Sequence, residues 1–155
     1  MNNYELEKSI ISAILQDFDK AQSTYLQSEW FTDTNFKTIF EILNNYGSRL
    51  DGLMELFAKV RAELKGNFIG YEYLLALQKE NATTSGLDYL ANQLHREYLR
   101  AKLEKVKTEH TEFPTKQLEA EMLELLSAIS KLSRKRNVGD LSETFEQFEY
   151  ELEHD

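Results

Sequence analysis

The chain has 155 residues, enough for one domain or a small head with an extension, and its 41% apolar and 29% charged residues are those of an ordinary folded protein. Six glycines and one proline are too few for the turns of an all-β fold, and the lack of cysteine excludes disulfides and thiolate zinc sites. The net charge of −9 is uneven: residues 140–155 hold seven acids and no Lys or Arg, while residues 1–139 come to only −2, a balance that argues against gripping nucleic-acid phosphates unaided.

In chain order, residues 2–16 form a first helix with Leu6, Ile10, Ala13 and Ile14 at helical spacing and an Asn2/Glu5 capping pair. Residues 18–26 form a shorter one, with Phe18, Ala21, Tyr25 and Leu26. Trp30 and Phe31 lie in the next link, where aromatics are expected as core plugs. Asp33 or Thr34 caps a helix to about Tyr46, with Phe36, Ile39, Phe40 and Leu43 as its stripe and Gly47 as its stop. Asp51 caps another, with Leu53, Leu56, Phe57, Val60 and Leu64 on one face and Gly66 at its end. Gly70 precedes a short apolar helix with Tyr71, Leu74, Leu75 and Leu77. These pieces make a helical head over residues 1–84.

A long helix is expected from Ser85 or Gly86 to about His110, broken by Pro114, and a second over 115–132. The second carries Leu118, Met122, Leu125, Ile129 and Leu132 in steps of 4, 3, 4 and 3, a heptad seam. The first presents Leu87, Leu90, Leu94, Tyr98 and Ala101 on one side and Leu99, Leu103 and Val106 on another. Residues 85–133 therefore read as an antiparallel helical hairpin in the same domain, with Leu118, Met122, Leu125 and Ile129 as candidates for self-association. Residues 134–155 read as a basic linker followed by an acidic amphipathic helix. Lys131, Arg134, Lys135 and Arg136 form the basic cluster, either complementing a helix C-terminus or contacting nucleic acid. Leu141, Phe145, Phe148 and Leu152 then fall at i, i+4, i+7 and i+11, a stripe on a helix too short to be stable alone. It requires a partner surface, on its own domain or on a neighbouring chain. The fold class expected is all-α: a small helical head, a long antiparallel hairpin and a C-terminal linker-like helix.

Candidate chemistry is sparse. No phosphate-binding GxxxxGK[ST] or GxGxxG motif occurs; His95, His110 and His154 are far apart, and His95/Glu97 and His110/Glu112 are i, i+2 pairs, which face apart on a helix. No catalytic, cofactor-binding or metal-binding residue is assigned, and no cofactor is expected. No stretch approaches the 18 apolar residues of a membrane span, and the first residues lack the apolar core of a secretory signal. A cytoplasmic protein without membrane contact is expected.

The ordered series of motifs resembles the N-terminal domain of DnaB-type replicative DNA helicases. The stretch ELEKSIISAIL (residues 5–15) is similar to the family's opening helix, with Ser12 where a glycine is usual, and SEWFTDTNFKTIFEIL (28–43) to its next signature. LDGLMELFAKV (50–60), GYEYLLAL (70–77) and LDYLANQLHREYLRAKL (87–103) follow in the family's order, so that the resemblance runs to about Leu132. It implies a collar whose hairpins pair between subunits, as a dimer or as a hexamer built from three dimers. It also implies docking of primase or a helicase loader during DNA replication, and a linker helix, here 141–152, that docks on the adjacent subunit. DNA would be met only indirectly. The ATPase motor is absent from this sequence; a full-length parent would be an ATP-dependent DNA helicase. A stand-alone phage protein that binds or regulates a host helicase or primase is the second reading. An unrelated helical bundle touching nucleic acid through 131–136 is the third.

Overall fold

The computed structural model describes residues 2–68, 70–80 and 86–136, with only the backbone for 134–136. Seven α-helices and two 3-10 turns make up the regular structure among these residues, and the chain is all-α. It divides into two compact units, Met1–Leu94 and His95–Asp155.

Helix α1 (Asn3–Gln16) starts where the Asn2 side chain accepts the Glu5 N–H at 2.8 Å, satisfying one of the free donors of the first turn. It buries Leu6, Ile10, Ile11, Ala13, Ile14 and Leu15. The helix expected over 18–26 shrinks to the single turn α2 (Lys20–Ser23). Asp17 accepts the Asp19 N–H in a local turn and Thr24 is extended, so Asp, Ser and Thr side chains favour turns over helix there. Ala21 and Leu26 still reach the core. Trp30, in a 3-10 turn (Ser28–Trp30), and Phe31 are buried as core plugs, Phe31 stacked on Phe40 with centroids 5.2 Å apart.

Asp33 caps α3 (Thr34–Tyr46) by accepting the Phe36 N–H at 3.1 Å. Gly47 ends it at φ 51°, and a Cβ there would lie 2.7 Å from Asp19 Oδ1, the oxygen that accepts the Ser48 N–H. Only glycine suits that position. A 3-10 turn (Gly47–Arg49) leads to α4 (Leu53–Glu63). Its N-cap is Gly52 rather than the expected Asp51, whose N–H donates to Glu55 Oε2 at 3.0 Å. Helix α5 (Tyr71–Lys79) follows from Gly70 as expected.

In the head, α1 packs on α3 and α5, α3 on α4, and α4 on α5, a ring of four helices around Ile10, Ile14, Phe36, Ile39, Phe40, Leu43, Leu56, Val60, Leu74 and Leu77. Leu87, Ala91 and Leu94, from the first turns of α6 (Leu87–Glu112), are also buried. That helix continues without glycine or proline across the division between the units. The connection to α7 (Lys116–Arg136) is tighter than the sequence pattern suggests, because α6 runs on to Glu112. Thr115 Oγ1 accepts the Leu118 N–H at 3.1 Å and starts the second arm. At its other end α7 continues through Arg136.

Candidate assembly surfaces

The hairpin core consists of Leu99, Leu103 and Ile129, all buried, with Tyr98, Met122, Leu125, Ala128 and Leu132 packed against them while remaining partly accessible. The heptad seam of α7 thus faces α6 of the same hairpin. Its covering is uneven: Ile129 is buried, whereas Leu118, Met122 and Leu125 are half-buried. Beside the seam, Leu123 is 68% exposed and Leu126 39%. The sequence reading missed these two leucines because it followed the 3-4 spacing alone. The signal was present in them as neighbours of Met122 and Leu125, which widen the apolar face of the helix. Near the turn, His110 Nε2 lies 3.5 Å from Glu119 Oε1.

Of the basic cluster, Lys131 is exposed near the end of α7, and 134–136 contribute helical backbone at its C-terminus. Cations there complement the partial negative charge of the helix end. Leu141, Phe145, Phe148 and Leu152 lie outside the described residues.

The head holds its own shape by polar contacts that no spacing rule announced. Glu7 is fully buried at 0% exposure. Its Oε1 accepts the Thr32 N–H at 2.8 Å and the Asp33 N–H at 3.1 Å; its Oε2 accepts the Thr32 hydroxyl at 2.6 Å. One carboxylate on α1 thus fixes the entry to α3. Along the α1–α5 contact, the Ser12 hydroxyl donates to the Leu77 carbonyl at 2.7 Å, occupying an acceptor that a glycine at 12 would leave for another partner. Gln16 donates to the Gln78 carbonyl and Gln78 donates to the Leu15 carbonyl, so each helix end closes the other. Lys8 pairs with Glu80 at 3.0 Å, and the Glu80 carboxylate raises the Lys8 pKa. The Tyr4 and Tyr73 hydroxyls share a hydrogen bond of 2.6 Å.

A second uncovered region runs along α4. Met54, Phe57, Ala58, Arg61, Ala62, Lys65 and Gly66 line an open groove of about 630 Å³. Met54 is 61% exposed, and Phe57 meets Phe68 and Tyr71 edge-on or tilted at the side of the groove.

Among the described residues no group of three or more His, Asp or Glu side chains is placed to hold a metal ion, and no helix is long and apolar enough to cross a membrane. The chain belongs to the family of DnaB-like helicase N-terminal domains, whose model matches residues 1–96. This is a helical domain associated with replicative helicases, and it is not itself the catalytic part. The matched stretch covers the head and the first turns of α6, which is nearly the extent of the first compact unit, and stops short of the Leu132 reached by the motif series. No match was found among curated proteins or among solved structures.

Proposed function

We propose that the chain is the collar and linker of a replicative DNA helicase, acting in the cytoplasm as an assembly and docking domain. Copies pair through their hairpins, as dimers or as a hexamer of three dimers. The collar receives primase or a helicase loader, and DNA is met only through the rest of the machine. The observation that carries this is the half-covered seam of α7: Leu118, Met122 and Leu125 remain partly open, with Leu123 and Leu126 exposed beside them. A second hairpin laid on this face completes a four-helix bundle and covers what one hairpin leaves open. Ile129, already buried, anchors each hairpin from within. The stripe Leu141, Phe145, Phe148 and Leu152 is the inter-subunit tether that docks on the adjacent copy.

Light scattering on the full chain across a concentration series tests the pairing. The expected result is growth from the 18.2 kDa monomer to a dimer or larger species. Each leucine covered contributes up to about 1.5–3 kcal/mol, so Leu123→Glu with Leu126→Glu returns the chain to monomer with helical content unchanged. A strict monomer at every concentration overturns the proposal.

A further inference from the structure

We propose that the α4 groove of the head takes an acidic amphipathic helix of a partner protein, laid antiparallel to α4 with its acidic first turn on Arg61 and Lys65. The surface belongs to the head alone, so it goes beyond the pairing assigned to the hairpin.

Helix α4 carries two faces. Leu53, Leu56 and Val60 are buried in the head. Met54, Phe57, Ala58, Arg61 and Ala62 fall at i, i+3, i+4, i+7 and i+8, and they line the open groove of about 630 Å³. Met54 is 61% exposed, Ala58 and Ala62 are exposed, and Phe57 is half-buried. The two alanines let another backbone approach closely over the roughly 12 Å from Met54 to Ala62, as helix-on-helix packing requires. Met54 is a soft, adaptable contact at the far end.

Charge selects the occupant. The groove is lined by two cations, Arg61 and Lys65, and by no carboxylate, on a chain of net charge −9. Both cations are exposed, and neither is in an ion pair among the described residues. The nearby acids of α4 are turned elsewhere: Glu55 accepts the Asp51 N–H, and Glu63 lines another cleft together with Lys59. A carboxylate arriving on a partner therefore meets two cations that no acid in the groove neutralises.

The backbone supports a role for Lys65. It takes the left-handed position after α4, at φ 52°, although glycine is the usual residue there and Gly66 is next in line. The turn is closed around it: the Lys65 N–H donates to the Ala62 carbonyl at 3.4 Å and the Gly66 N–H to the Arg61 carbonyl at 3.2 Å. A side chain kept in a costly conformation points to a use other than stability.

Direction follows from the same features. Arg61 and Lys65 lie at the C-terminal end of α4, where the last carbonyls add partial negative charge. A helix N-terminus is partially positive and favours acids in its first turn. An antiparallel helix thus brings acids to the cations and opposite dipole ends together, whereas a parallel helix does neither.

The test is a methyl NMR titration of the full chain labelled at its methionines, with Met54 in the groove and Met122 in the hairpin as the control. The probe is a stapled helical peptide of about fourteen residues, with glutamates in its first turn, a Leu/Phe face and a nitroxide at either end. Met54 is expected to shift saturably while Met122 stays, and a C-terminal nitroxide is expected to broaden Met54 more than an N-terminal one. Arg61→Glu with Lys65→Glu weakens binding about tenfold, and a peptide with lysines in place of its glutamates restores it. Lys65→Gly weakens binding while the urea midpoint stays level or rises; a lower midpoint overturns the role given to Lys65. Circular dichroism verifies that each variant is folded. No shift at Met54, or equal binding of a peptide with glutamines for glutamates, overturns the proposal. Stronger broadening from the N-terminal nitroxide overturns the direction. A Met54 signal that moves with protein concentration before peptide is added places a second copy in the groove and overturns the partner.

Discussion

Removing the Glu7 carboxylate is expected to destabilise the head more than any surface change, in an order set by hydrogen-bond geometry. In Glu7→Ala, the Thr32 and Asp33 N–H groups and the Thr32 hydroxyl lose their acceptor on the buried carboxylate, and because Thr32 is exposed and Asp33 half-buried, water replaces part of the lost bonding. Fully buried orphaned donors cost about 1–3 kcal/mol each, and access of water to these part-buried ones brings the expected total to about 2–3 kcal/mol. Glu7→Gln behaves differently. Its carbonyl oxygen, placed at the Oε1 position, still accepts both backbone N–H groups, while the amide turns toward the Thr32 hydroxyl, which accepts as readily as it donates. A loss of about 1 kcal/mol is expected there. Urea unfolding followed by tryptophan fluorescence reads the head selectively, because Trp30 is the sole tryptophan and is buried in it. A loss below about 1 kcal/mol for Glu7→Ala, or a greater loss for Gln than for Ala, refutes the assigned bonding.

Leu125→Asp places a charge against Leu99, Leu103 and Ile129 and is expected to cost the hairpin about 2–3 kcal/mol; unchanged melting and unchanged mass by light scattering count against the seam. Tyr25 offers a pH test. Burial, aided by the Asp88 carboxylate, pushes its phenol from an ordinary 10 up to about 12 in the folded chain. The folded state therefore keeps a proton that the unfolded state gives up, and this contribution to stability is present below pH 10 and is lost as pH rises to about 12. Tyr25→Phe is expected to flatten the stability profile in that window, and an identical slope in both proteins contradicts the shift.

Most of the helical framework was legible because its signals are local. Asn2, Asp33, Gly47, Gly70 and Pro114 act through the backbone within a few residues, and each marks a boundary in the structure or lies within two residues of one. The misplaced features are those decided by competition or distance. Residues 18–26 have apolar spacing compatible with a helix, yet the Asp17 turn and the extended Thr24 confine it to one turn. Asp51 has the composition of a cap, but Gly52 takes the position. Glu7 looks like any acid in a first helix, because its partners lie 25 and 26 residues away. The α4 groove escaped notice because its lining mixes Met, Ala, Arg and Lys, which no hydrophobic pattern selects. The seam of α7 was visible from its period, whereas its partial covering depends on how far each side chain reaches α6.

The bonds that join α1 to α5 also bear on how the head is made. Ser12 to Leu77, Gln16 to Gln78 and Tyr4 to Tyr73 link positions more than sixty residues apart, so α1, synthesised before α5, completes its packing with nearly the last part of the head. Until Lys79 has emerged from the ribosome, Ile10, Ile11 and Ile14 have no α5 to meet, and a nascent chain cut off earlier carries a sticky, half-dressed α1. Closing so long a loop is slow relative to forming the individual helices. The joining of α1 and α5 is therefore the natural committing step in the birth of this domain, and the stage at which a chaperone has most to protect.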